Sequence, residues 1–167
     1  TKIQVGGGIR TQESASFYLN NGIDRVVLGT IALENPKIIE QLCENYPGRI
    51  AVGIDAKKGM VATEGWSKTS TIEVVKLSKL YENIGVSCVI FTDIEKDGLM
   101  EGVSLNQLKN LLKNTKLNVI ASGGVSSLND LKKLKSLDKK NLIGVISGKA
   151  IYENKFSVNK AVEILES

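Results

Sequence analysis

Apolar positions along this chain fall into two alternating patterns. Short β-branched runs at residues 3–5, 25–28, 50–54, 88–92, 119–121 and 144–147 predict strands. Each is followed by a longer stretch with apolar positions at helical spacing, roughly residues 12–21, 36–46, 72–83, 105–113, 128–137 and 158–165. Pro36 suits a first helical turn, and Ser127 and Ser157 can cap the helices they precede. The strand runs are nearly all apolar rather than alternating, which is how parallel strands covered on both faces read.

Six strand–helix units in succession predict an α/β fold, either a TIM (β/α)8 barrel or a doubly wound sheet. The polar and glycine-rich segments all follow the strands: Gly7-Gly8-Ile9-Arg10, Gly29-Thr30, Asp55-Ala56-Lys57, Asp93 to Gly98, Gly123-Gly124-Val125-Ser126 and Gly148-Lys149. Such loops gathered at strand carboxyl ends favour the barrel, whose active site is built from them. A complete barrel has eight units. The chain opens on a strand at Thr1, so the expectation is an incomplete barrel, truncated at its N-terminus and lacking its first two units. With 167 residues it would be a single partial domain, residues 1–48 ending one half-barrel and residues 49–167 forming the second.

An internal repeat is the sharpest signal. Val5-Gly6-Gly7-Gly8-Ile9-Arg10-Thr11 matches Ala121-Ser122-Gly123-Gly124-Val125-Ser126-Ser127, and the run from Val26 through Gly29-Thr30 to Asn35 matches Val145 through Gly148-Lys149 to Asn154. Both pairs occur in the same order at nearly the same separation, as in a duplicated half-barrel. Glycines allow the backbone close to an anion, and free N–H groups at a following helix start point at it. One such loop is an ordinary strand-to-helix turn; two homologous pairs predict a ligand with a phosphate at each end.

Between the repeats, two apolar strands run into acids: Asp55 after Ile54, and Asp93 with Asp97-Gly98 after Thr92. Carboxylates at a barrel mouth are placed for general acid–base work. The blander readings are a lysine-paired Asp55, an Asp93 that only orients its loop, and an Asp97 that merely serves an Asp-Gly turn. Lys58-Gly59 predicts a hairpin turn, followed by strand-like residues 60–63 and then Trp66, the only tryptophan, which on a loop over a mouth can stack on a planar ligand. Arg10 can pair with phosphate or lie on a flat ring, or be a surface residue at a helix start.

Composition narrows the chemistry. The chain has no histidine, so acid–base steps must use carboxylates, Lys, Tyr or Cys, and a Ser-His triad is excluded. The net charge of +4 comes from lysines interleaved with apolar residues, as in Leu131-Lys132-Lys133-Leu134, and only 5% of residues are aromatic. A solvated helix face and an anionic small-molecule ligand fit this better than nucleic acid. Cys43 and Cys88 read as buried thiols of a reducing compartment, with no metal-ligand spacing around them. No apolar run reaches membrane-spanning length and no signal peptide is legible, so no membrane association and a cytoplasmic location are expected.

Taken together, Val5–Arg10, Val27–Ala32, Asp55 before Val61–Trp66, Thr92–Gly98, Ala121–Ser126 and Gly144–Ala150 resemble the histidine-pathway family of phosphoribosylformimino-aminoimidazole carboxamide ribotide isomerases, in order over the whole chain. The resemblance implies an Amadori aldose–ketose rearrangement without metal or organic cofactor. A general acid protonates the ribose ring oxygen, a general base removes the proton on carbon 2, and the enolamine ketonises. By position it implies Asp55 or Asp97 as proton donor and Thr92 as a supporting hydroxyl. Substrate contacts would come from Gly8, Arg10, Gly29, Thr30, Trp66, Gly102, Ser122, Gly123, Gly124, Gly148 and Lys149. The family's general base is an aspartate ending its first strand, a segment this chain does not include, so the chain alone is expected to be inactive and the full-length protein monomeric. The sister cyclase of imidazole glycerol phosphate synthase shares the repeat and the Asp55 position. Gly65-Trp66, Thr92-Asp93-Ile94 and the Gly148–Glu153 segment favour the isomerase. A non-catalytic bis-phosphate-binding piece, or one that completes a barrel with another chain, is the remaining alternative.

Overall fold

The computed structural model describes residues 1–63, 68–99 and 102–166. Six parallel strands form its centre: β1 (Gln4–Gly6), β2 (Arg25–Leu28), β3 (Ile50–Lys57), β6 (Cys88–Asp93), β7 (Asn118–Ser122) and β8 (Leu142–Val145), hydrogen-bonded in that order. An antiparallel hairpin of β4 (Met60–Thr63) and β5 (Lys68–Glu73) grows from the end of β3. The end of β3 pairs antiparallel with β4 across a tight turn at Lys58-Gly59, with φ of +51° and +81°. Two consecutive positive φ values give the twist that matches a hairpin's strands.

The pleat sorts each strand's residues between two sides. On β3, Ile50, Val52, Ile54 and Ala56 join the main core with Leu42, Tyr81, Leu108 and Leu131 of the surrounding helices. Ala51, Cys88 and Ile120 form a second small cluster with Val27 and Ile90 on the other face. The sheet curls around that second face: Gln4 and Val27 from one end and Ile143 to Ile146 from the other line one cavity of about 580 Å³ with Ile90 and Ile120. This is the architecture of part of a barrel, with β2, β3, β6 and β7 carrying apolar residues on both faces as the runs predict.

The long helices are α1 (Gln12–Asn20), α3 (Pro36–Asn45), α4 (Val74–Ile84), α5 (Leu105–Asn114), α6 (Leu128–Lys135) and α8 (Val158–Glu166). Pro36 occupies the first turn of α3, and the Ser157 hydroxyl accepts from the Lys160 N–H at the start of α8, as expected. Gly85 ends α4 in the left-handed conformation. On α6 the leucines Leu131 and Leu134 are buried while Lys132, Lys133 and Lys135 face solvent, so the lysine-rich stretch is an outer helix face. Cys43 and Cys88 are free and buried.

Four local expectations change. The strand predicted at residues 50–54 runs on to Lys57, because Asp55 and Ala56 pair with β6 and Ala56 and Lys57 with β4, so Asp55 lies within the strand and not after it. The helix predicted from residue 72 starts at Val74, because Glu73 still pairs with Met60 in the hairpin. The strand predicted at residues 144–147 lies at Leu142–Val145; only the Ile146 N–H continues the ladder, to the Ala121 carbonyl. Two short helices not expected from periodicity, α2 (Thr30–Glu34) and α7 (Lys149–Tyr152), follow directly on Gly29 and Gly148. At four and five residues they are too short to show a helical repeat in sequence. Among the described residues no helix is long and apolar enough to cross a membrane.

Candidate active site at the strand carboxyl ends

Asp55, Thr92 and Ser122 form one row. Asp55 pairs in register with Thr92, and Thr92 with Ser122, across β3, β6 and β7. They continue the alternate, inward-facing positions Ala51 and Gly53, Cys88 and Ile90, and Ile120, so their side chains leave the sheet on the curled inner face at its carboxyl end. Thr92 is buried between the two half-buried neighbours. A hydroxyl thus stands beside a carboxylate where the barrel interior opens.

Asp93, one residue on, sits on the opposite side and is only 3% exposed. Its Oδ1 accepts from the Glu95 N–H at 3.0 Å and its Oδ2 from Gln107 Nε2 at 2.9 Å. Its carbonyl accepts from the Lys96 and Asp97 N–H groups. Asp93 therefore shapes the loop, the blander of its two readings. The loop carries half-buried Asp97 to a cavity of about 280 Å³, lined also by Ser122, Gly123, Gly124, Gly148 and Lys149. Lys149 Nζ donates to the Gly98 carbonyl at 3.0 Å and is 3.9 Å from the Glu153 carboxylate, so it spans this cavity's rim.

The two copies of the repeat share their backbone. Gly7 and Gly8 have φ of +98° and +70°, and Gly123 and Gly124 have +87° and +78°. Gly29 and Gly148 both precede short helices, with φ of −101° and −110°. The residue after each glycine pair, Ile9 or Val125, is buried at 5% exposure in both, which anchors the turn on the core. The packing differs. Gly7, Gly8, Arg10, Gly29 and Thr30 are exposed, and a Cβ at Gly7, Gly8 or Gly29 would meet nothing within 4 Å. Gly123 and Gly124 are buried, and a Cβ there would enter the Asp93 carbonyl oxygen or the Gly102 carbonyl and Lys96 Cβ. Gly102 is placed by this contact, its N–H donating to the Gly124 carbonyl at 3.1 Å. Trp66 lies outside the described residues.

Two residues that the sequence reading passed over hold the second glycine loop and the Asp97 loop. Asp130, 4% exposed, accepts at Oδ2 from the N–H and hydroxyl groups of both Ser126 and Ser127, completing a capping box on α6. Burial pushes its carboxyl up, but these hydrogen bonds and Lys133 outweigh it and leave the group below the ordinary aspartate value. The Ser127-x-x-Asp130 spacing was a legible signal. Gln107 had none. Among the described residues no group of three or more Cys, Asp or Glu side chains could hold a metal.

Comparison with known proteins adds to this geometry. A family model described as "Histidine biosynthesis protein" matches residues 1–157. A protein of Paramagnetospirillum magneticum is 47% identical over 165 residues, covering 99% of this chain and 68% of the relative. One of Geotalea uraniireducens is 46% identical over 161 residues, covering 96% and 66%. One of Prochlorococcus marinus is 47% identical over 163 residues, covering 98% and 64%. All three bear the name 1-(5-phosphoribosyl)-5-((5-phosphoribosylamino)methylideneamino) imidazole-4-carboxamide isomerase. The chain spans about two thirds of the length of these relatives.

Proposed function

This chain belongs to the histidine biosynthesis protein family, and we propose that it carries the phosphate-binding and acid-bearing part of an aldose–ketose isomerase acting on a bis-phosphorylated aminoimidazole carboxamide ribotide. The observation that carries the reading is the doubled glycine-loop geometry: two pairs of loops with matching φ values at the carboxyl ends of β1 and β2 and of β7 and β8, with Asp55 and Thr92 on the strands between. The relatives' name contains two phosphoribosyl groups, hence two phosphates, one for each pair of loops.

In this reading Gly8, Gly29 and Thr30 bind one phosphate, with Arg10 beside it as the cation. Ser122, Gly123, Gly124, Gly148 and Lys149 bind the other. Asp55 and Asp97 are the two groups that can deliver a proton to the ring oxygen, with the Thr92 hydroxyl supporting Asp55 from the adjacent strand. Ring opening leaves an imine; loss of the carbon-2 proton to a base gives the enolamine, and ketonisation returns the proton count to its start. Trp66 stacks on the flat heterocycle. No metal or organic cofactor enters, because proton transfer alone redistributes the electrons. The protein works in the cytoplasm, and its complete form is a monomer.

The base expected from the resemblance is an aspartate on a strand not among these 167 residues. The chain by itself therefore binds bis-phosphates without turning substrate over. Titrating it with the bis-phosphorylated ribotide and with inorganic phosphate, and assaying isomerisation in parallel, tests this. Two phosphate-dependent sites with no turnover are expected. Turnover at a rate comparable to an intact isomerase would refute the missing-base reading, and absence of any phosphate binding would refute the placement of the loops.

A further inference from the structure

Asp93, Gln107 and Gly59 come from three separated parts of the chain and meet at one amide. Gln107, in the first turn of α5, accepts at Oε1 from the Gly59 N–H at 2.8 Å and donates from Nε2 to Asp93 Oδ2 at 2.9 Å. One amide orientation alone satisfies both partners, since the N–H of Gly59 needs an oxygen and the carboxylate needs the NH2. Gly59 is the second residue of the hairpin turn, and its carbonyl accepts from the Val74 N–H at the start of α4. Asp93 holds the other side: its Oδ1 takes the Glu95 N–H, and its carbonyl takes the N–H groups of Lys96 and Asp97.

We infer that Gln107 is a positioning residue that locks the β3–β4 turn and the loop carrying Asp97 into one body. The inference rests on the reading of Asp97 as part of the acid–base machinery, and extends it to a residue that touches no substrate. The physical ground is the cost of a buried carboxylate. With Asp93 3% exposed, each oxygen requires a donor, and Gln107 supplies the one that the loop cannot. Removing that donor leaves Asp93 to turn toward water or another N–H, and the loop wound on its carbonyl turns with it. The other half of the same amide leaves the hairpin turn unpaired at Gly59. Geometry at one loop is thus tied to geometry at the other, and a shift of about 1 Å in an acid's position is enough to cost a large share of the rate.

Amide hydrogen exchange on the isotope-labelled chain tests the coupling directly. Gln107→Met and Gln107→Glu are each expected to speed exchange at both Gly59 and Asp97 about tenfold, with Val89 in the central strand β6 unchanged. The double variant Gln107→Glu with Asp93→Asn reverses the polarity of the contact. The introduced asparagine amide donates to the introduced carboxylate, whose other oxygen still faces Gly59, and its own oxygen still faces Glu95. It is expected to return both amides to within about threefold of the parent. Faster exchange at Gly59 with Asp97 unaffected would overturn the inference. So would a uniform rise that includes Val89, or a double variant no better than the single ones. In a complete barrel, Gln107→Met is expected to lower kcat about tenfold with KM within about twofold. An Asp97→Asn barrel that keeps its turnover would remove the catalytic reading of Asp97 and leave the exchange result standing.

Discussion

Gly124 and Gly102 lie against each other, the Gly102 N–H donating to the Gly124 carbonyl at 3.1 Å while the space where Gly124 would carry a Cβ is filled by the Gly102 carbonyl. The glycine loop after β7 is therefore fitted to the loop after β6, whereas its repeat partner Gly8 has the same kind of backbone, φ +70°, and open space around it.

That difference predicts different costs for one substitution. Gly8→Ala meets only the dihedral penalty of a left-handed residue, about 1–2 kcal/mol. Gly124→Ala adds backbone overlap that cannot relax without separating the two loops, so a loss of roughly 3 kcal/mol or more is expected. Urea denaturation of the two variants against the parent checks this; equal losses would contradict it.

Asp130 makes stability depend on pH in a defined direction. Its folded-state pKa lies below its unfolded value of about 4. The stability it contributes is therefore fully present above about pH 4 and is lost as pH falls through the lower folded value. Asp130→Ala is expected to cost about 1–2 kcal/mol at pH 7, as loss of a cap does, and to flatten the acid limb of a plot of stability against pH. An unchanged acid limb would show that other carboxylates govern it.

Charge at the second loop pair should separate binding from proton transfer. Lys149→Met is expected to weaken inorganic phosphate binding about tenfold or more, since a phosphate there would lose the lysine that lines the cavity. Asp55→Asn is expected to leave phosphate affinity within about twofold and, in a complete barrel, to lower kcat by roughly 10²–10⁴. Calorimetric titration and isomerase kinetics read the two effects separately.

Tyr81 presents a buried hydroxyl with no hydrogen-bond partner among the described residues, on a side chain that is fully buried in the main core. Burial pushes its phenol well above the ordinary value. Tyr81→Phe removes an unpaired polar atom without opening a cavity larger than that atom, so a gain of about 1 kcal/mol is expected. Tyr81→Ala should cost about 3–5 kcal/mol. A destabilised Tyr81→Phe variant would mean the hydroxyl is satisfied in solution.

The sequence by itself determined the order and kind of the main elements, because parallel strands buried on both faces must be apolar throughout and the helices that cover them must be amphipathic. It determined the pairing of Gly7-Gly8 with Gly123-Gly124, since only a repeated backbone demand keeps glycines in one order at one spacing, and it placed Asp55 just past a strand, whereas pairing with β6 and β4 carries β3 on to Lys57. Tertiary structure decided which residue of the Thr92-Asp93 pair faces inward. A strand turns successive side chains to opposite sides, and the register with Asp55 and Ser122, not local composition, sets which side is the interior. It also decided the start of α4, where pairing of Glu73 with Met60 overrides helical spacing. Only the fold could bring Gln107 to Gly59 and Asp93, because the contact closes gaps of 48 and 14 residues that carry no periodic signal.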